Sequence, residues 1–421
     1  MGRLKIVYPV CCGMDVHRDF LIACIAATNA QGVTEYQSRR FSTYTGSLRE
    51  LRDWLLANDC KDVCMESTGK YWFPVHNILE ESCHVVVSHP KFVKAIKGKK
   101  TDKKDAQWIA DLFKHDLVRG SFIPPKDIRQ LRDLCRYWVK LSSYMTGEKN
   151  RAQNCLTVSN FKLDDVFSNV FGKSASAITT QLLEHPGEQF DVAPFVDGRC
   201  KTPIAQQIQE AVDGIFTYEQ AEKLKIIRGH MDSLERHKAE LESLILEIAQ
   251  NYLPQIELLL TVPGIHDAFT AIRILAEIGA DMTVFDTSKH LCSWAGLTPQ
   301  NAESAGKKKT TRIGKSGAYL KPLLIQVALA ASRGEKHPEI YGKKQALQKR
   351  RGKKKAIVAI ARRLLTAIYH ILSKNEPYNP AAYIQEDKNP MARQISQEKA
   401  FEMLARMGFI VSNPSPLSSS G

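Results

Sequence analysis

Three stretches open the chain: Lys5-Ile-Val-Tyr-Pro-Val-Cys-Cys-Gly-Met-Asp-Val16, Phe20-Leu-Ile-Ala-Cys-Ile-Ala-Ala-Thr28 and Val33-Thr-Glu-Tyr-Gln-Ser-Arg-Arg-Phe41. Rich in Val, Ile, Cys and aromatics and separated by short polar turns, they read as successive strands. Working outward, Gly46 to Asn58 carries Leu48, Leu51, Trp54 and Leu55 at helical spacing. A buried strand is expected at Asp62 to Glu66, a helix at Tyr71 to Ser82, a strand at His84 to Val87 and an amphipathic helix at Lys103 to Asp116. Three strands, a helix, then strand–helix–strand–helix is the element order of an α/β RNase H-like fold.

Four acids stand at informative places in that order. Asp15 ends the first strand, in Gly-Met-Asp-Val-His, and Glu66 ends the buried strand, in Val-Cys-Met-Glu-Ser-Thr-Gly. Asp102 and Asp105 open the last helix three residues apart, which puts both on one face. Asp102 alone would pass as a helix cap and Asp15 as a turn residue. An acid ending an apolar strand, such as Glu66, is costly to bury without a partner. Gathered together, four carboxylates repel unless cations hold them, and Mg²⁺ is the natural occupant of an all-oxygen site. A pair of such ions suits phosphoryl transfer. Lys94, Lys97, Lys99, Lys100, Lys103 and Lys104 surround the third and fourth acids and suit a phosphate backbone.

Composition agrees with a nucleic-acid partner. The 421 residues exceed one ordinary domain, with 43% hydrophobic and 25% charged residues. Lys and Arg outnumber Asp and Glu by 59 to 45, a formal net charge of +14, which favours a polyanion. Charge alone does not separate DNA from RNA or an anionic membrane. No window approaches the roughly 20 apolar residues of a membrane span, and no export signal is visible. Ten scattered cysteines without paired CxxC motifs argue against zinc and fit a reducing, cytoplasmic setting.

The middle of the chain is expected to be helical. Ile227, Met231, Leu234, Leu241, Ile245 and Ile248 follow alternating steps of four and three, broken at Lys238. Such a run builds either a dimer seam or a long helix packed on its own chain. Farther on, Thr261-Val-Pro-Gly-Ile-His-Asp-Ala precedes a helix, Phe269 to Ile278, and its hairpin offers N–H groups to a phosphate or is simply a helix start. Trp294 to Lys321 is a loop mixing glycines, hydroxyls and the cations Lys307, Lys308, Lys309, Arg312 and Lys315, running into a helix at Ala318 to Ala331. Such a loop can cradle phosphate and present a serine, with Ser304 a minor candidate on residue type alone. Lys349, Arg350, Arg351, Lys353, Lys354 and Lys355 form the densest basic patch, read as a nucleic-acid contact. The polar stretch to Gly421 cannot support a core and is expected to be disordered.

With these residues in order, the chain resembles the transposases of the insertion-sequence 110/116/902 group, also called DEDD transposases or bridge-RNA-guided recombinases. The likeness rests on Asp15, Glu66-Ser-Thr-Gly, Asp102-Lys-Lys-Asp-Ala, Val262-Pro-Gly-Ile, Leu275-Ala-Glu-Ile-Gly, Trp294-Ala-Gly-Leu-Thr-Pro and Gly314-Lys-Ser-Gly. It implies a RuvC-like catalytic domain at 1–150 in which Asp15, Glu66, Asp102 and Asp105 hold Mg²⁺, with Mn²⁺ as substitute. A helical, coiled-coil-like linker at 151–255 follows. A mainly α transposase domain at 256–375 then supplies a serine nucleophile that links covalently to DNA, and 376–421 is a tail. Ser304 matches that serine, with Ser316 as fallback, because Ala305 stands where many relatives have glycine. The resemblance further implies donor and target DNA, an element-encoded structured RNA, assembly as dimer or tetramer, and a bacterial, nucleoid-associated location. The competing readings are a RuvC-type structure-selective nuclease without a serine step, and a basic nucleic-acid-binding protein whose acids are caps.

Overall fold

Strands β1 (Val10–Val16), β2 (Phe20–Thr28) and β3 (Thr34–Ser42) form an antiparallel meander. Helix α1 (Thr45–Ala57) leads to β4 (Asp62–Glu66), which pairs parallel with β1. Helix α2 (Trp72–Leu79) leads to β5 (His84–Ser88), parallel to β4, and helices α3 (Pro90–Val93) and α4 (Asp102–Lys114) follow. The result is a mixed five-stranded sheet in the order β3-β2-β1-β4-β5, with elements close to those expected. One difference lies at the start: Lys5 to Pro9 is outside the sheet. Pro9 cannot donate to a ladder, and the amides of Val7 and Tyr8 instead bond the Lys114 carbonyl at the end of α4.

This computed structural model describes residues 4–66, 69–93, 101–198, 203–299, 302–304, 307–310, 312–314, 316–334 and 336–381. The chain forms two compact units, meeting at Pro125 and Lys126, each described on its own below.

Side-chain alternation divides the first unit into two layers. Cys12, Met14 and Val16 of β1 and Val63 and Met65 of β4 join Leu48, Leu51 and Leu55 of α1 and Trp72, Val75 and Leu79 of α2 on one face. Cys11 and Cys64 lie on the other, with Ile109, Ala110 and Phe113 of α4. The second face is closed by an unusually close approach. A Cβ placed on Gly13 would sit 2.3 Å from both the Ala106 carbonyl oxygen and the Ala110 nitrogen. Only glycine lets the α4 backbone lie directly on β1. At its far end α4 is pinned by Lys114, whose ammonium donates to Asp111 (3.0 Å) and Thr34 (3.2 Å) while Tyr36 donates to Asp111 (2.6 Å). Burial pulls the Lys114 pKa down, but its bond to Asp111 more than offsets this.

The second unit is helical apart from one small ribbon. Helix α5 (Lys126–Val158) is followed by α6 (Leu163–Val166), α7 (Lys173–Glu184) and α8 (Pro203–Ala211), and then α9 (Tyr218–Ala249). The expected domain limit at residue 150 falls inside α5. Helix α9 runs antiparallel along α5: Trp138 donates to Glu242 (2.6 Å) and His230 meets Glu148 (3.0 Å). Of the heptad stripe, Ile227, Leu234 and Ile245 are buried within the chain, so the stripe serves intrachain packing. Around one end of this hairpin, residues of α6–α8 form their own core with Ala152, Cys155, Leu156, Leu224 and Ile227.

Helices α10 (Leu253–Leu260), α11 (Ala268–Ile278) and α12 (Ser288–Trp294) precede strands β6 (Ala302–Ser304) and β7 (Lys307–Thr310). Helices α13 (Leu320–Ala331), α14 (Pro338–Arg351) and α15 (Lys353–Lys374) complete the described chain. By length and composition α15 is apolar enough to pass for a membrane span, contrary to the sequence expectation. Its stripe Ala356, Ile360, Leu364, Leu365 and Ile368 is buried, as in a core helix. Of the tail 376–421, expected to be disordered, residues 376–381 are described and the Tyr378 amide and hydroxyl donate to Thr261 and Glu339, while 382–421 lie outside the described residues. The nine described cysteines are free and all but Cys83 are buried, and burial pushes the Cys11 and Cys64 thiols up to about 12, so they act as core residues.

The close approach at Gly13 gives a first prediction. Gly13→Ala forces α4 off the sheet and costs about 1–3 kcal/mol, the usual range for overpacking. Urea unfolding should show a lower midpoint with an unchanged slope, and a midpoint within error of wild type would mean that α4 does not need the glycine.

Candidate metal centre and nucleic-acid surface

The alternation that sorts the core also sorts the acids. Asp15 shares the face of Cys11 and Gly13, and Glu66 shares that of Cys64, so both point to the side covered by α4. The parallel ladder pairs Met14 with Met65, and the two acids lie one residue farther along, at the carboxyl ends of adjacent strands. Helix α4 begins above those ends. Thr101 caps it, its hydroxyl accepting from the Lys104 amide, and places Asp102 and Asp105 in the first turn, where the helix dipole favours negative charge.

The electrostatics record this gathering. Burial raises the Asp15 pKa above the ordinary carboxylate range; His17 opposes the rise, while Asp102, Glu66 and Asp105 each add to it. Three acids acting on a fourth is the state a hard divalent cation relieves, so the donor set fits one. The structure adds a residue that sequence reasoning passed over. His17 Nε2 stands 3.2 Å from Asp15 Oδ2 and 3.7 Å from Asp102 Oδ1. Ligand atoms of Asp15, His17 and Asp102 all lie within 4.8 Å of one another. The Asp-x-His spacing at a strand end was the available signal, since alternate residues share a face.

Among the cations near this centre, Lys103 and Lys104 are exposed on α4, whereas Lys94, Lys97, Lys99 and Lys100 lie outside the described residues. In the second unit, the expected loop around Ser304 is a two-stranded ribbon. Strand β6 pairs antiparallel with β7, with Ser304 opposite Lys307 at the tip and an irregularity between Ala302 and Glu303. Lys307, Lys308 and Lys309 are described by backbone only, Arg312 is exposed, and Lys315 lies outside the described residues. Ribbon pairing with a register shift leaves no regular alternation to read in a Gly- and Lys-rich stretch.

Two motifs close the base of this ribbon. Gly296 has φ +67°, and a Cβ there would lie 2.6 Å from the Ser316 carbonyl oxygen and 2.7 Å from its Oγ. Gly317, at φ +71°, meets the Ala295 carbonyl in the same way, and Lys321 donates to the Gly314 carbonyl (2.6 Å). Trp-Ala-Gly-Leu and Gly-Lys-Ser-Gly therefore interlock, and Ser316 sits in that interlock while Ser304 sits at the tip.

The hairpin Val262-Pro-Gly-Ile does not cradle phosphate. All four residues are buried, the Val262 and Ile265 amides bond carbonyls inside the chain, and Gly264 (φ +87°) presses on the end of α13. The following helix start is occupied by Asp267, which accepts from the Thr270 amide (2.7 Å). The basic patch is different: Lys349, Arg350, Arg351, Lys353, Lys354 and Lys355 are all exposed around the corner at Gly352, φ +82°.

Comparison with known proteins agrees with both ends of the chain. Residues 12–160 match a family model described as "Transposase", and residues 256–342 match "Transposase IS116/IS110/IS902 family". A pilin gene-inverting protein of Moraxella bovis is 34% identical over 378 residues, covering 87% of this chain and 97% of that protein. The chain belongs to the IS116/IS110/IS902 transposase family. Two shorter matches agree. The pilin gene-inverting protein of Moraxella lacunata is 37% identical over 124 residues (29% of this chain, 38% of that one). The transposase for insertion sequence element IS1111A of Coxiella burnetii is 33% identical over 127 residues (29% and 34%). The transposase is thus an enzyme of DNA recombination, and membership of a DEDD group implies use of divalent metal.

The electrostatics of Asp15 give a second prediction. Asp15→Asn removes the most burdened charge and should raise the melting temperature of the metal-free protein by roughly 2 °C or more. Calorimetry in chelator and in excess Mg²⁺ should show the metal stabilising wild type more than the variant. A lower metal-free melting temperature for Asp15→Asn would contradict crowding of the acids.

Proposed function

We propose that the first unit is an RNase H-like, RuvC-type catalytic domain in which Asp15, Glu66, Asp102 and Asp105 hold Mg²⁺, or Mn²⁺ in its place. The observation carrying this reading is geometric: Asp15 and Glu66 end adjacent parallel strands, Asp102 and Asp105 open the helix on that face, and ligand atoms of Asp15 and Asp102 lie within 4.8 Å of each other. The sheet order supports it. A divalent ion bound there supplies charge neutralisation at a phosphoryl oxygen and a lowered pKa for a coordinated hydroxyl. The chain's own task is to hold four carboxylates on rigid elements so that little reorganisation accompanies reaction.

The region from 256 to 375 is the transposase domain in this reading, with 151–255 as helical linker. Its Ser304 is the nucleophile: the hydroxyl oxygen attacks a backbone phosphorus, a Ser–O–P bond forms, and the deoxyribose oxygen of the other DNA end leaves with a proton. The reverse attack by a second DNA end restores serine and joins the strands. Ser304 is favoured over Ser316 because it ends β6 opposite Lys307, whereas Ser316 lies at the base of the ribbon beside Gly296. Lys307, Lys308, Lys309, Arg312 and Lys315 flank the serine, and Lys97, Lys99, Lys100, Lys103 and Lys104 flank the acids, as phosphate contacts. The patch from Lys349 to Lys355 holds further backbone, of DNA or of an element-encoded RNA that pairs with donor and target DNA. Exposed Tyr137 and Tyr144 on α5, with Ile226, Leu244 and Leu246 on α9, suit assembly as a dimer or tetramer. Inversion of a DNA segment, the activity in the Moraxella relatives' name, is the same class of strand exchange.

The test is a supercoiled-DNA recombination assay with the element's ends and flanking RNA. Glu66→Ala and Ser304→Ala should each lower strand exchange by at least 10³-fold, and Ser304→Ala should also abolish the DNA-linked protein band. If Ser304→Ala recombines normally, the nucleophile is elsewhere. If it still cuts but forms no linked band in either protein, a metal-only nuclease replaces this reading.

A further inference from the structure

The acids proposed to hold metal offer only oxygen, yet a side chain beside two of them offers nitrogen. His17 follows β1 directly, and its amide bonds the Phe20 carbonyl (2.9 Å), so the residue sits in a tight turn with a fixed backbone. Its ring packs on Phe20 (4.8 Å between centroids), whose other neighbour is the Arg40 guanidinium at 4.0 Å. The side chain remains 40% exposed, beside Asp15 at 13% and Asp102 at 49%. The ring is therefore held in place but open to an ion arriving from solvent.

Distance decides whether one ion can be shared. Two donors bound at about 2.1 Å to one ion lie no more than about 4.2 Å apart. The separations of 3.2 Å from Nε2 to Asp15 and 3.7 Å to Asp102 fall inside that limit. With the ring proton on Nδ1, Nε2 carries a lone pair beside both carboxylate oxygens, and the ligand atoms of all three residues lie within 4.8 Å of one another. Mg²⁺ demands oxygen ligands and takes nitrogen reluctantly, whereas first-row transition ions accept imidazole with carboxylate.

We infer that His17 is a direct nitrogen ligand of the metal centre and makes this transposase prefer a divalent transition ion, probed here as Mn²⁺, over Mg²⁺. The inference rests on the four-acid site above and adds to it a donor and a selectivity. The alternative role for His17 is a hydrogen-bond donor that steadies Asp15 without touching metal.

Electron spin-echo envelope modulation on the full-length protein with one equivalent of Mn²⁺ separates the two. Wild type should show ¹⁴N coupling from one directly bound imidazole, absent in His17→Ala and His17→Gln. Competition titrations should show the Mn²⁺-over-Mg²⁺ preference falling by about 10-fold in both variants with Mg²⁺ affinity little changed. A wild-type Mn²⁺ spectrum without ¹⁴N coupling, or coupling that survives both His17 variants, overturns the nitrogen ligand and leaves the acid site standing. Mn²⁺ binding unaffected by Asp15→Asn and Glu66→Gln overturns the acid site, and the inference with it.

Discussion

Helix α4 lies closer to strand β1 than any side chain would permit, and the gathering of the four acids proposed to hold metal depends on that contact. At Gly13 the strand presents only hydrogen to the backbone between Ala106 and Ala110. Two residues on, the same face of the strand carries Asp15, and just before Ala106, in the first turn of the helix, stand Asp102 and Asp105. A methyl group between the layers would separate exactly the charges that must be close for a cation to bridge them. The helix is held against the resulting repulsion from both directions: its dipole favours acids in the first turn, and the Lys114–Asp111–Tyr36 network fixes its last turn to β3. Apolar packing through Ile109, Ala110 and Phe113 provides the continuous part of the attraction.

The second unit uses the same device without acids. Gly264, Gly296 and Gly317 all have positive φ and all face backbone atoms at distances no Cβ could tolerate. They close a turn onto α13 and lock the base of the ribbon that bears Ser304. This module is then fastened to α5 by cations. Arg132 donates to the Ala276 and Glu277 carbonyls at the end of α11, and Arg136 makes a two-pronged pair with the buried Glu277 carboxylate (2.7 and 2.8 Å) while stacking on Tyr319. Lys238 and Arg273 both lie over the Trp138 ring, which ties α9 and α11 to α5. The Leu275-Ala-Glu-Ile-Gly motif owes its acid to this clamp, so Glu277 is a structural residue of a catalytic family.

The helices of the first 116 residues were legible because each has one polar side, and strands β1, β2 and β4 because they are short apolar runs, buried on both faces, between polar turns. That Asp15 and Glu66 each end a strand was legible too, but the register that sets those ends side by side, Met14 opposite Met65, was not. What the sequence did not disclose depends on partners distant along the chain. Gly13 looks like any strand glycine until α4, nearly 100 residues later, lies across it. His17 looks like a turn residue until Asp102 arrives beside it. The hairpin at Pro263 carries the residue types of a phosphate cradle, and only its burial against α13 rules that role out. The heptad stripe of α9 was ambiguous for the reason all such stripes are: an apolar seam does not say whether its partner belongs to the same chain.

Charge is unevenly placed along the chain. Residues 159–217, which carry α6 to α8, hold eight acids against four Lys and Arg in a chain whose net charge is +14. The positive excess is therefore concentrated outside that module. Its sharpest expression is the corner at Gly352. Lys349, Arg350 and Arg351 end α14, where a helix dipole welcomes cations, but Lys353, Lys354 and Lys355 begin α15, where the dipole opposes them. Folding alone gives no reason to place three lysines at a helix start and three more cations one residue away. An anionic partner laid across the corner does, because it neutralises both ends at once and turns an unfavourable self-energy into binding free energy.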